Sequence, residues 1–168
     1  MKSELLSEFA VDEKSKTVIV KREFLAGLEL VWKAWTTLDL IERWFSPRPW
    51  ITQTKAMDFC NGGYWHFSIV NPDGVRHWSR YDYKDVEFQK TIGELRAFTD
   101  ESGIVSPEYP RTECTSTFNE MDSKTLVTIT ARYRSLDIFK KMASEGHKTG
   151  FMSTFNNLDL LLIELKEN

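Results

Sequence analysis

The spacing of apolar positions along the chain switches from two to three or four and back again, and each switch marks an element. Thr17-Val18-Ile19-Val20-Lys21-Arg22-Glu23-Phe24 opens with β-branched residues and runs into Ala26-Gly27, as a strand runs into a turn. Leu28, Val31, Trp32 and Trp35 then recur at helical spacing up to Thr36. After Thr36-Thr37, the residues Leu38, Ile41, Trp44 and Phe45 predict a second short helix, which Pro47 and Pro49 end because neither can donate a backbone hydrogen bond. From Trp50 to about Arg134 the pattern is strand and turn. Asn61-Gly62-Gly63 and Asn71-Pro72-Asp73-Gly74 mark tight turns, Asp100 to Pro110 a longer loop, and Met121-Asp122-Ser123 the last hairpin. Phe151, Phe155, Leu158, Leu162 and Leu165 form an apolar stripe within a helical region running from about Leu136 to Lys166. Residues 1–15 are mixed and polar. They read as a flexible arm or short leading element ahead of a single domain over 16–168.

This order is strand, two short helices, a run of strands and one long helix. It describes an α+β domain in which a curved antiparallel sheet of six or seven strands buries one face against the long helix. A bent sheet gripping one helix leaves space between them, and such space is a common small-molecule site.

Composition sharpens that picture at one point. Six Trp, five Tyr and eleven Phe stand among 168 residues, so the interior is either an aromatic core or an aromatic-walled cavity. The remaining composition mainly excludes. With 22 basic and 25 acidic side chains the net charge is −3, and no basic face suggests nucleic acid. No charged-then-apolar leader and no apolar run of about 20 residues is present, so a cytoplasmic protein without a membrane span is expected. Cys60 and Cys114 show no disulfide framework, and reduced thiols fit that compartment.

Several segments resemble one branch of the START-like (SRPBCC) superfamily, the branch of homologues of an activator of the Hsp90 ATPase. Val31-Trp32-Lys33-Ala34-Trp35-Thr36 and Arg43-Trp44-Phe45-Ser46-Pro47 are similar to its "VWxAWT … RWWxP" signature. Asp58 to Phe67 is similar to its "DxxxGGxWxF" hairpin, Pro72-Asp73-Gly74 follows at the expected distance, and Gly146–Gly150 with Leu158–Leu165 looks like its terminal helix. The resemblance covers nearly all of 17–166. It implies a helix-grip (START-like, Bet v 1-like) fold around a hydrophobic cavity, in a superfamily that binds lipids, sterols, polyketides and other apolar molecules. Some branches catalyse cyclisation or hydrolysis, and this branch includes a chaperone-regulator domain. One departure bears on the cavity. The branch's "GxYxE" strand reads Ser79-Arg80-Tyr81-Asp82-Tyr83 here, so a phenol replaces the carboxylate, and an inward Tyr83 would narrow the space.

The expected ligand-binding residues are Trp44, Trp65, Phe67, Tyr81, Tyr83 and Phe151, with ordinary core packing as the alternative for each ring. Strand alternation puts Trp65, Phe67 and Ile69 on one face, and Tyr64, His66 and Ser68 on the other, toward solvent. Cys60 with His66 supplies at most two metal ligands, and Cys60 lacks a visible activating base, so a buried or half-buried structural thiol is expected. Arg22, Arg132, Asp85 and Glu113 interrupt strands. A solvated outer face is the favoured reading, with an inward pair that orients a polar head group as the alternative. Asp85 as a general base would need burial. The expectation is a small apolar molecule as partner, with no catalytic residue, cofactor or metal and no nucleic acid. The alternatives are a cyclase- or hydrolase-type enzyme and a chaperone-regulator-like module. A homodimer is compatible with the resemblance, although no interface signal is present.

Overall fold

The computed structural model describes residues 4–167. Eight antiparallel strands form one sheet: β1 (Ser7–Asp12), β2 (Thr17–Phe24), β3 (Ile51–Asp58), β4 (Tyr64–Val70), β5 (Arg76–Glu87), β6 (Thr91–Thr99), β7 (Thr112–Met121) and β8 (Lys124–Arg132). Their spatial order is β1-β2-β8-β7-β6-β5-β4-β3, so each pair except β2–β8 joins sequence neighbours. Helices α1 (Leu28–Thr36) and α2 (Leu38–Ile41) interrupt the strands after β2, and α3 (Leu136–Met142) and α4 (Glu145–Glu167) close the chain. This is the expected α+β helix-grip arrangement.

Three details depart from the sequence pattern. The segment read as a flexible arm or short leading element contains a regular strand, β1, paired in register with β2 from Ser7 opposite Arg22 to Asp12 opposite Thr17. Its side chains are mostly exposed, so it carries almost no buried alternation and owes its place to the backbone ladder. The second short helix is regular only over Leu38–Ile41. Beyond it, turn hydrogen bonds such as Phe45 N–H to the Ile41 carbonyl hold Trp44 and Phe45 in position. The terminal helical region breaks at Ala143-Ser144, leaving α3 as a separate helix of about two turns.

Alternation decides what the sheet presents to α4. Val18, Val20 and Phe24 of β2, Val127 and Ala131 of β8, and Trp65 and Phe67 of β4 point inward and are nearly fully buried. They meet Phe155, Leu158, Leu161 and Leu162 of α4. Phe155 sits edge-on to Phe24, with ring centroids 6.0 Å apart, and beside Trp35 and Trp44 at 6.3 and 6.4 Å. Polar ties fix the helix against sliding. Arg22 pairs with Asp159 and donates to Asn156, and the buried Asn157 amide donates to the Ser46 carbonyl at 2.9 Å. Arg22 is thus an inward group, 8% exposed, and not part of a solvated outer face. Desolvation holds the Asp159 carboxyl above its ordinary value, with Arg22 acting in the opposite sense.

Candidate ligand site between the sheet and the short helices

The strand register lines up two rungs of inward side chains. Trp65 of β4 lies opposite Tyr81 of β5, which lies opposite Arg96 of β6. One step along, Tyr83 lies opposite Glu94, and Glu94 opposite Cys114 of β7. Because side chains repeat every two residues, Ile92, Glu94 and Arg96 share a face and all reach the interior. The turn before β4 sets this geometry. The Gly62 N–H donates to the Tyr83 carbonyl and the Tyr83 N–H to the Gly63 carbonyl, at 3.0 and 2.9 Å. A Cβ at Gly63 would lie 2.0 Å from the Asp58 carbonyl oxygen, so only glycine allows that approach.

Between these rungs and the short helices lies a void of about 10 Å³. That is roughly the room one water needs. Trp35 of α1, Ile41 of α2 and Phe45 close it from above, while Trp65, Tyr81, Tyr83 and the β6 triplet form its floor. Phe45 is the plug. Its ring stands edge-on to Trp65 at 4.9 Å, to Phe67 at 5.7 Å and to Tyr81 at 6.0 Å. It follows a four-residue helix and precedes Pro47, so it hangs from the least regular backbone around the void.

One charged pair faces this aromatic space. Arg96 Nη2 donates to Glu94 Oε1 at 3.2 Å, and the two side chains keep 20% and 7% of their exposure. The guanidinium also lies over the Tyr81 ring at 4.3 Å, a cation–π contact. Among the described residues the Glu94 contact is its one hydrogen bond, and its Nε is buried without a partner. A guanidinium carries five N–H donors, so most of them are unclaimed by protein. The Ser116 hydroxyl on β7 is likewise buried and unpartnered. Desolvation raises the Glu94 carboxyl above its ordinary value, and Arg96 partly offsets that. Burial pushes the Cys114 thiol up to about 11 and the Tyr133 phenol up to about 12, and raises Tyr81 and Tyr83 further. All four stay uncharged near neutrality, so the salt-bridged pair of Glu94 and Arg96 is the polar centre of the site.

Of the six residues expected to bind ligand, Trp65, Tyr81 and Tyr83 border the void. The inward Tyr83 is 3% exposed and does narrow the space. Phe67 stacks behind Trp65 with centroids 3.8 Å apart. Trp44 stands farther back, its indole N–H donating to the Ala34 carbonyl at 2.9 Å and its ring 4.6 Å from that of Trp35. Phe151 lies on α4 against Phe9 of β1, at 6.1 Å, away from the void.

Two other expectations are corrected. His66 is on the outer face as alternation requires, yet it is 5% exposed, because the loop at Asp100–Gly103 folds over it and its Nε2 lies 3.2 Å from the Asp100 carbonyl oxygen. Cys60 is exposed on the β3–β4 turn and not buried. Desolvation and the neighbouring Asp58 raise its thiol, which leaves it unactivated. Arg132, Glu113 and Asp85 are exposed, and Asp85 occupies a strand bulge with φ of 45°. No three His, Cys, Asp or Glu side chains converge on a metal-sized site among the described residues.

Glu94 and Arg96 were missed by sequence reasoning. In Thr91-Ile92-Gly93-Glu94-Leu95-Arg96-Ala97 the Gly-Leu-Ala face looks like the core and the charged face like the surface. The signal that could have found them is register: a hairpin centred on Phe88 to Lys90 puts this charged face directly across from Tyr81 and Tyr83.

The void-centred site sits on a fold with many relatives. The family model of the activator of Hsp90 ATPase homolog 1-like protein matches residues 26–162. The chain belongs to that family. Among solved structures, protein Ms6760 from Mycobacterium smegmatis is 22% identical, with a TM-score of 0.84 over 95% of this chain and 97% of that one. A Staphylococcus epidermidis protein solved by NMR is 26% identical, with a TM-score of 0.83 over 92% and 94%. A protein from Silicibacter pomeroyi that bears the family's name is 15% identical, with a TM-score of 0.70 over 88% and 97%. No curated protein matches the sequence significantly.

Proposed function

We propose that this chain is a binding protein of the START-like class that holds one small, largely apolar molecule between β4–β6 and the short helices. The observation that carries this reading is the under-bonded Arg96 guanidinium facing an aromatic void. Arg96 Nε and the Ser116 hydroxyl are the two buried side-chain polar atoms without a partner among the described residues, and each unmet group costs about 1–3 kcal/mol that a ligand's acceptor would relieve. Trp65, Tyr81 and Tyr83 supply ring surface for the ligand body, and Phe45 swings out to admit it. Phe67 and Trp44 hold the wall rings from behind, and Phe151 takes no part. Apolar burial at about 25 cal/mol per Å² provides most of the affinity, and Arg96 fixes orientation.

A catalytic reading ranks lower. Glu94 is the one inward carboxyl at the void, and its Oε1 is engaged by Arg96, while Asp85 is exposed. The test is a fragment screen by ligand-observed NMR on the full chain. Fragments that bind and are displaced by one another, and that lose affinity when Trp65 is replaced by Ala in a folded variant, support the site. Fragments whose affinity is indifferent to Trp65→Ala rule it out.

A further inference from the structure

We propose that Glu94 is a specificity residue that makes the Arg96 site accept a neutral oxygen acceptor, such as a ketone, quinone or phenol oxygen, and reject a carboxylate. The inference rests on the binding reading above and adds the chemical class of the ligand's polar end.

A guanidinium in a pocket ordinarily recruits an anion. Here the charge is already met. Glu94 lies within 3.2 Å of Arg96 and is more deeply buried than its partner, so the site is a neutral pair with spare N–H donors. Every other titratable group that faces it carries no charge near neutrality: Tyr81 and Tyr83 from β5, Cys114 from β7 and Tyr133 after β8. A carboxylate entering the space would be an excess negative charge in low dielectric, facing the Glu94 carboxylate across the same guanidinium. A neutral acceptor meets the unclaimed donors without adding charge. The surroundings select further. The Tyr81 ring beneath the guanidinium and the edge-on Phe45 and Trp65 rings leave a narrow aromatic space, which suits a planar body. The void has room for only about one water, so the ligand's oxygen takes a water-sized position and its body takes the place of Phe45.

The test uses three probes of near-equal size: acetophenone as the neutral acceptor, benzoate as the anion and ethylbenzene as the apolar control. Each is titrated at pH 7 into the full chain and into its Phe45→Ala variant, which gives the probes room. Acetophenone is expected to bind on the order of tenfold tighter than ethylbenzene, as one hydrogen bond to a charged donor provides, with benzoate weaker than acetophenone. Glu94→Gln keeps the shape and leaves Arg96 unneutralised, so benzoate becomes the tightest of the three. The double variant Glu94→Gln/Arg96→Met has no charge left in the site. It should bind acetophenone and ethylbenzene alike, and it decides the matter should the single variant fail to fold. Benzoate binding best to the unaltered chain, or an unchanged order in Glu94→Gln, would overturn the proposal while leaving the binding site in place. Failure of all three probes with both the full chain and Phe45→Ala would overturn the binding reading itself, and this proposal with it.

Discussion

Phe45 and Glu94 both border the void, and each has a measurable consequence. Phe45 is half-buried among Trp44, Trp65, Phe67 and Tyr81, so Phe45→Ala removes four edge-on ring contacts and joins its volume to the void. Destabilisation of about 3 kcal/mol is expected in urea titration, at the low end for phenylalanine because the ring is not fully enclosed. The enlarged space should admit a benzene-sized probe, as apolar cavities of that size do. A loss below about 1 kcal/mol would mean that the ring is not the plug described. Glu94 predicts a pH signature. Its carboxyl is held above the ordinary value of 4.5, so the folded chain keeps that proton more tightly than the unfolded chain does. The stability it contributes is fully present below 4.5 and is lost as pH rises through the folded value. Glu94→Gln cannot titrate. Relative to this variant, the unaltered protein should therefore be more stable at pH 4 than at pH 7, and the reverse trend in urea midpoints would contradict the assignment.

Among the elements, the contact of α4 with β2 is the clearest case of a polar tie inside a hydrophobic packing. Arg22 pairs with Asp159 and reaches Asn156, which lie one turn apart on the helix face. Asp159→Ala leaves Arg22 buried and unpaired. The expected cost is about 2 kcal/mol, less than the ~3–5 kcal/mol of a fully buried pair because Asp159 keeps 30% exposure. The double variant Arg22→Met/Asp159→Leu should recover most of it, and a double variant no better than the single would show that the pair does more than neutralise itself. The elements were also the most legible level. Turns at Asn61-Gly62-Gly63 and Asn71-Pro72-Asp73-Gly74, and the α4 stripe, are visible because backbone needs and burial both leave a mark in sequence. β1 left none, since an edge strand with exposed side chains is held by main-chain hydrogen bonds, to which sequence pattern is nearly blind. Glu94 and Arg96 were hidden for the opposite reason. Their pattern is clear but points the wrong way, because charges normally face water and only pairing makes them tolerable inside.

At the scale of the whole molecule, the sheet, α4 and the short helices form one aromatic interior whose packing is almost complete. The same backbone persists in proteins 22% identical at a TM-score of 0.84, so this architecture tolerates wide change in the side chains that fill it. Its free edges are guarded in the usual manner. β1 carries Glu8 and Asp12, and β3 is bulged between Thr54 and Ala56 around Lys55. In this chain, tyrosine at position 83 and an ion pair under the rings reduce the interior to a water-sized void with one polar corner. The six tryptophans make that interior directly observable, because each indole N–H gives its own NMR signal. Trp35 and Trp65 border the void, Trp44 lies behind it, Trp32 packs against Phe118, and outside it Trp50 stacks on His77 while Trp78 lies tilted against His66. The decisive measurement is a titration of the full chain with acetophenone, followed through these six signals. Shifts greatest at Trp35 and Trp65, with Trp50 and Trp78 unmoved, and the same pattern at lower probe concentration in Phe45→Ala, are the expected result. Shifts confined to Trp50 and Trp78, or none in either protein at saturating probe, would contradict an interior binding site.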